Sequence, residues 1–185
     1  CSLIDETGAL VGDYEDRLDL RDRRPGRRLV DLIRNLRYAN PTYGLIRREA
    51  LARTRLLGSY PSADLVLLGE LALLGEFHEI PERLFFRRIH HQMSTRAHPT
   101  PGEVLAWFDP SQRKSRPTVA WRLLLEYCRA AWRAPLPWPE RLEALVRLLP
   151  VQLRASHRQL LGEAITIAGA PVGYALARLT KRAAR

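Results

Sequence analysis

One run of eleven residues constrains this chain more than any other. Leu65–Gly75 reads LVLLGELALLG, with Glu70 its only charge. A helix that is apolar nearly all round has to be buried. It is too short to span a bilayer, which takes ~20 apolar residues. Asp64 opens this helix. The free N–H groups and the dipole of a first turn favour a carboxylate there. The plain reading is that Ser62 or Asp64 caps the helix, since capping is the usual job of such residues. Glu70 lies six residues on, about 120° away around an ideal helix. The two acids therefore do not converge, which argues against a hydrolase built on that pair.

The surrounding stretch, residues 40–94, reads as loop, short helix, loop, buried helix, short strand, turn and strand. Its end alternates. On a strand, Leu84, Phe86, Arg88 and His90 share one face, and Phe85, Arg87 and Ile89 share the other. A guanidinium and an imidazole side by side suit a diphosphate and its metal ion; the plain alternative is a solvent-facing strand end. On this reading His91 points away, and His78, His98 and His157 are ordinary isolated histidines.

Before that stretch, residues 3–12 read as a hairpin around Glu6-Thr7-Gly8. Residues 13–28 read as a charged loop containing Pro25 and Gly26. Asp13, Glu15, Asp16 and Asp19 invite a metal site, but no D-x-D triplet occurs and the run looks like a solvated loop. Leu29, Leu32, Ile33 and Leu36 make one stripe of a helix over 28–38, ended by Asn40-Pro41. Gly44 precedes a second helix over 47–56, and Gly75 is placed to end the buried one.

A Pro-rich break, His98-Pro99-Thr100-Pro101, marks the boundary between two parts, 1–95 and 96–185. Thr100, Pro101 and Glu103 form a capping box with proline at the first helical position. Strands and helices mix in the first part. The second is helical, with helices predicted to Phe108 and over 118–132, 138–149, 151–162 and 164–179. Trp107, Trp121, Trp132 and Trp138 are spaced as core or interface anchors; stacking on bases is the rarer use of such residues. The apolar run 164–177, broken by Gly169, Pro171 and Gly173, could pack on the domain or lie on a membrane surface.

The hydrophobic fraction of 46% marks a globular chain, and its net charge is +10. All its cations but Lys114 and Lys181 are arginine. Such a surface can bind nucleic acid or anionic lipid. The arginines are spread along the chain, which disfavours a nucleic-acid interface and fits the codon bias of a GC-rich genome. Cys1 and Cys128 suit neither a disulfide framework nor a metal site, so a reducing cytoplasm is the expected compartment.

The order of these pieces resembles the acceptor-side half of family 2 inverting glycosyltransferases, which have the GT-A fold. Tyr43-Gly44-Leu45-Ile46-Arg47-Arg48-Glu49-Ala50-Leu51 is similar to the family's glycine, strand and RRxxL-type helix. Leu57–Tyr60 leads into Ser62-Ala63-Asp64, where the family has a Glu-Asp or similar pair; here Ala63 stands at the glutamate position. Leu67–Gly75 matches the helix behind that acid, and Ile80–His90 the strand that closes on Arg-x-His. The resemblance covers roughly residues 1–95.

It implies an α/β fold: the C-terminal half of a GT-A-like domain followed by an α-helical extension. It also implies sugar transfer from a nucleotide-sugar donor to a hydroxyl acceptor, with inversion. Asp64 would be the base, and Arg88 and His90 would face the donor diphosphate, His90 as a ligand to the metal. Tyr43 and Gly44 would lie on the acceptor side, Gly44 letting backbone approach the acceptor; an ordinary turn glycine is the equal alternative for Gly44. A divalent metal, Mg or Mn, is expected of the complete enzyme. The metal-binding acids and nucleotide pocket would precede residue 1, making this chain a fragment, inactive alone. Cytoplasmic location with peripheral membrane contact is expected. The rival reading is a basic helical module that binds nucleic acid or anionic membrane. A third is a poorly folded remnant with an open strand edge.

Overall fold

The first hairpin is closed by one carboxylate. Asp5 accepts hydrogen bonds from Thr7 N–H, the Thr7 hydroxyl and Ala9 N–H at 2.7–2.9 Å. Gly8 takes φ +93°, where a side chain would be strained. The chain thus doubles back from β1 (Ser2–Ile4) to antiparallel β2 (Leu10–Asp13). The computed structural model describes residues 1–93, 100–112 and 118–168. In it β3 (Phe86–Arg88) adds to the other side of β1 in parallel, Leu3 opposite Arg87, giving the order β2-β1-β3.

Helix α1 runs Pro25–Asn35, three residues earlier than the sequence suggests. Pro25 and Gly26 are its opening residues, not loop. Proline suits the first turn because its missing N–H would have no partner there. Gly26 serves packing: a Cβ on it would stand 2.9 Å from Ala144 Cα, so α1 and the last helix meet backbone to backbone. A 3₁₀ turn follows at Asn40–Tyr43. Helix α2 is only Arg48–Leu51, much shorter than the predicted 47–56. The Thr54 hydroxyl donates to Leu51 C=O, and Leu56 adopts φ +59°, which turns the chain away.

Helix α3, Ala63–Leu74, is the apolar helix, and its surroundings explain its composition. One buried cluster joins Leu29 and Leu73 to Tyr127, Ala131, Ala144 and Leu148. A second joins Leu32, Leu67, Leu68, Leu71 and Ala72 to Leu18 and Leu20, with Ala39, Ile46 and Leu51 packed against it. The helix has a cluster on each side and no solvated stripe.

Gly75 ends α3 in an extended conformation, φ −163°, that any residue adopts. The helix end is satisfied by Arg28, which is 5% exposed. Its Nε and Nη2 donate to Ala72 C=O and Leu73 C=O at 2.7 and 3.2 Å. Its Nη1 donates to Asp22 C=O and Arg23 C=O, just ahead of α1. Burial pulls this guanidinium below its ordinary pKa.

Helix α4, Pro101–Phe108, carries the expected capping box between Thr100 and Glu103. Helix α5 is Val119–Arg133, and α6 runs unbroken over Trp138–Ala168. Two predicted helices and the start of a third, 164–168, are therefore one, with Pro150 inside it. The carbonyl that Pro150 leaves unpaired is that of Val146. Val146 and Pro150 are both exposed, so water can serve it. From 169 on, the predicted 164–179 helix lies outside the described residues. The described part of 101–168 contains no strand. The buried clusters run across the 95/96 division, since Leu29 and Leu73 pack with α5 and α6. No helix among the described residues is long and apolar enough to cross a membrane.

Arg28→Met should lower stability by about 3 kcal/mol, because buried carbonyls at two helix-flanking segments lose their donors. Arg28→Lys should rescue little of this, since one ammonium cannot span both pairs of carbonyls. Urea denaturation of the two variants measures both effects.

Candidate active site

Strand alternation holds for 84–89. Leu84, Phe86 and Arg88 are exposed, whereas Phe85, Arg87 and Ile89 are half-buried. The inward cation, Arg87, needs partners and has them. Its Nη1 donates to Asn40 Oδ1 at 2.9 Å, and its guanidinium lies 4.0 Å over the Tyr38 ring. Its Nε is buried without a hydrogen-bond partner. The Asn40 amide in turn donates to Asp16 at 3.1 and 3.3 Å. Burial pushes the Asp16 carboxyl above its ordinary value. Sequence reading missed this group, although a cation on the inner face of a strand was the available signal.

The same strand holds Tyr43. Its ring stacks on Phe85 at 5.3 Å while its residue stays exposed. Gly44 follows with φ −79°, so its backbone angle does not demand glycine. From Phe85 to Arg88 the strand advances about 10 Å. Arg88 Nη1 donates to Asp5 C=O and Glu6 C=O at 2.9 and 2.8 Å, fastening β3 to the first hairpin. His90 lies just beyond, in an open cleft of about 390 Å³ with Asp5, Glu6, Thr7, Ile89 and His91. β3 has ended by then, and Met93 N–H closes a turn onto His90 C=O. The alternation argument therefore does not extend to the histidines. His91, expected to point away, binds Glu6 through Nδ1 at 2.7 Å in that same cleft. That bond holds the Glu6 carboxyl below its ordinary value.

Asp64 is not among the residues lining that cleft; it stands in the first turn of α3, half-exposed. Its Oδ1 accepts from Leu65 N–H at 2.9 Å, and among the described residues it has no ion-pair partner. Ser62 occupies the cap position with φ +66° and makes no side-chain capping bond. Asp64 precedes Leu67, Leu68 and Leu71 on one helix face. Those leucines pack with Ala39, Ile46 and Leu51, the segment that carries Tyr43 and Gly44. On its other flank, α3 meets Tyr127, whose hydroxyl donates to Leu65 C=O. Burial, and then the Asp64 charge, push that hydroxyl up. No hydrogen bond or ion pair joins Asp64 to Arg88 or His90.

A network fixes the approach to α3. Arg55 binds Glu70 at 2.7 Å and the buried Glu126 at 2.6 Å, and Arg129 holds the second Glu126 oxygen. Glu70 is thus committed to Arg55, in keeping with its divergence from Asp64. Arg122 lies 4.2 Å over the Tyr60 ring, three residues before the helix.

A divalent ion held by this chain alone is a poor fit. Beside His90, Asp5 is engaged by Thr7 and Ala9, and Glu6 by His91. Among the described residues no three His, Cys, Asp or Glu side chains group as a metal site. Of the other histidines, His78 pairs with Glu76 and His157 with Arg154 C=O, while His98 lies outside the described residues. Comparison with protein families, with curated proteins and with solved structures gave no match to this chain.

The Glu126 network gives a pH dependence of known sign. Burial raises the carboxyl, but Arg55 and Arg129 outweigh it and leave the folded pKa below the usual 4.5. A depressed carboxyl stabilises the fold above its unfolded value and loses that contribution as the pH falls toward the folded one. Glu126→Gln should cost about 3 kcal/mol at pH 7, by stranding Arg55 beside Glu70 alone. It should also flatten the decline in stability below pH 4.5. Urea midpoints at several pH values between about 3 and 7 give both readings.

Proposed function

We propose that this chain forms the acceptor side of an inverting glycosyltransferase, with Asp64 as its base. The observation that carries the reading is the state of the Asp64 carboxylate. It stands half-exposed at the head of the most enclosed helix, without an ion pair among the described residues, on the helix face that packs against the Tyr43-Gly44 segment. A carboxylate so placed can accept the proton of a hydroxyl brought in along that segment.

The reaction forms one C–O bond and breaks another. As Asp64 takes the acceptor proton, the hydroxyl oxygen attacks the anomeric carbon. The bond to the nucleotide diphosphate breaks on the opposite face, which inverts the centre. The leaving diphosphate needs positive charge. Arg88 has Nε and Nη2 left over from its bonds to the hairpin, and His90 offers an imidazole in the adjoining cleft. A divalent metal such as Mg or Mn, when bound, would neutralise further charge on the diphosphate. Of this chain's residues only the His90 ring would face it. The Tyr43 ring gives the acceptor an exposed aromatic surface.

The test fuses the donor-binding half of a family 2 glycosyltransferase ahead of this chain and takes transfer by that fusion as the parent activity. Asp64→Asn should lower turnover ~10²–10⁴-fold while donor affinity holds, since amide and acid match in size but only the acid takes a proton. Its fold should lose at most ~1 kcal/mol. His90→Ala should instead weaken donor affinity along with turnover. Full turnover in Asp64→Asn would reduce the aspartate to a first-turn residue and overturn the proposal.

A further inference from the structure

The four tryptophans are spaced as core or interface anchors, and those of α5 and α6 are not core residues. Trp132 is 52% and Trp138 55% exposed, and their rings meet edge to face at 5.1 Å. Trp121 is 37% exposed and reaches α6 through Nε1–H to Leu160 C=O at 3.1 Å. These contacts join α5 and α6 at opposite ends of an antiparallel pair.

Between them lie two matching stripes. Trp121, Leu125 and Trp132 are exposed along α5, with half-buried Cys128 filling the 4-3-4 spacing. Leu142, Val146, Leu149 and Leu153 repeat that spacing, exposed, along α6. At ~100° per residue each set falls within a sector about 60° wide. On each helix that sector lies next to the residues packed between the two, Ala131 and Leu148 among them. The stripes therefore flank one seam and form one apolar face.

The rim of the face is mainly cationic, with Glu140 and Glu143 its acids on α6. Exposed Arg129 and Arg133 follow the outer side of α5, and exposed Arg154 and Arg158 the outer side of α6. Of the nearby acids, Glu126 binds Arg129, Glu143 binds Arg147, and Glu163 accepts from Ala120 and Trp121 N–H.

From this juxtaposition we infer that the α5–α6 face docks on an anionic lipid surface. Leucine and valine would sink below the headgroups, the tryptophans would sit at their level, and the arginines would reach the phosphates. A second copy of this chain suits the face poorly, because pairing would set cationic rims against each other. The inference is independent of the sugar-transfer reading and holds for a non-enzymatic chain too.

The test is flotation of the full chain with vesicles of phosphatidylcholine, with or without about a third phosphatidylglycerol. Binding to the anionic vesicles is expected, at least tenfold weaker to the neutral ones, with a blue shift of tryptophan emission and weakening in high salt. The double variant Val146→Glu, Leu153→Glu should bind at least tenfold less. Both positions are exposed, so its circular dichroism and urea midpoint should match the parent. It keeps the basic run Arg178, Lys181, Arg182 and Arg185, so unchanged binding would assign the lipid contact to that run and overturn the inference. Failure of the parent to float with anionic vesicles would overturn it as well. So would sedimentation of the parent as a dimer that the double variant dissociates.

Discussion

The fold depends on one buried cation whose hydrogen bonds all go to backbone carbonyls rather than to a carboxylate. Arg28 spends its guanidinium on four backbone carbonyls, two at the end of α3 and two ahead of its own helix. A helix end buried without partners is costly, and α3 is too enclosed for water to serve it. By answering that need from α1, Arg28 fixes the two central helices against each other in one register. Burial depresses its pKa, but a guanidinium remains charged at any ordinary pH, so the clamp is not a titratable one.

With α1 and α3 fixed, the rest is placed against them. The 3₁₀ turn at 40–43 packs on α3 and hands two links to β3: Asn40 to Arg87 and Tyr43 to Phe85. Arg88 then ties β3 to the hairpin at its far end. The two parts of the candidate site are thus separate in their supports. Asp64 rides on the helix layer, whereas Arg88 and His90 ride on the sheet. Any cleft that includes both is only as rigid as the Asn40–Arg87 and Tyr43–Phe85 links.

Much of this was legible in the sequence, because the signals were local. The all-round apolar run required burial, the Thr100 capping box marked a helix start, and alternation gave the correct faces for 84–89. What was not legible depended on distant partners. Pro25 and Gly26 looked like a break until Gly26 was seen against Ala144. Pro150 looked like a boundary because nothing local says which side of the helix meets water. Asn40, Asp16 and Arg87 are far apart in the chain, and only pairing of β3 with β1 brings them together. His91 was misplaced because the strand period was carried past the end of the strand. The tryptophans were read as packing residues by their type, and burial is a property of the assembled helices.

The close approach of Gly26 to Ala144 bears on how such a chain can vary. Helices α5 and α6 resemble an appendage in composition, lying after a proline-rich break. In space they supply most of the cluster around Leu29 and Leu73. They are therefore not an interchangeable module. A relative that replaced them with another C-terminal segment would have to furnish a new lid for α1, including something small enough to lie against a glycine. Transplanting residues 1–95 onto a different carrier would expose the hydrophobic side of α1 and α3 that α5 and α6 now cover.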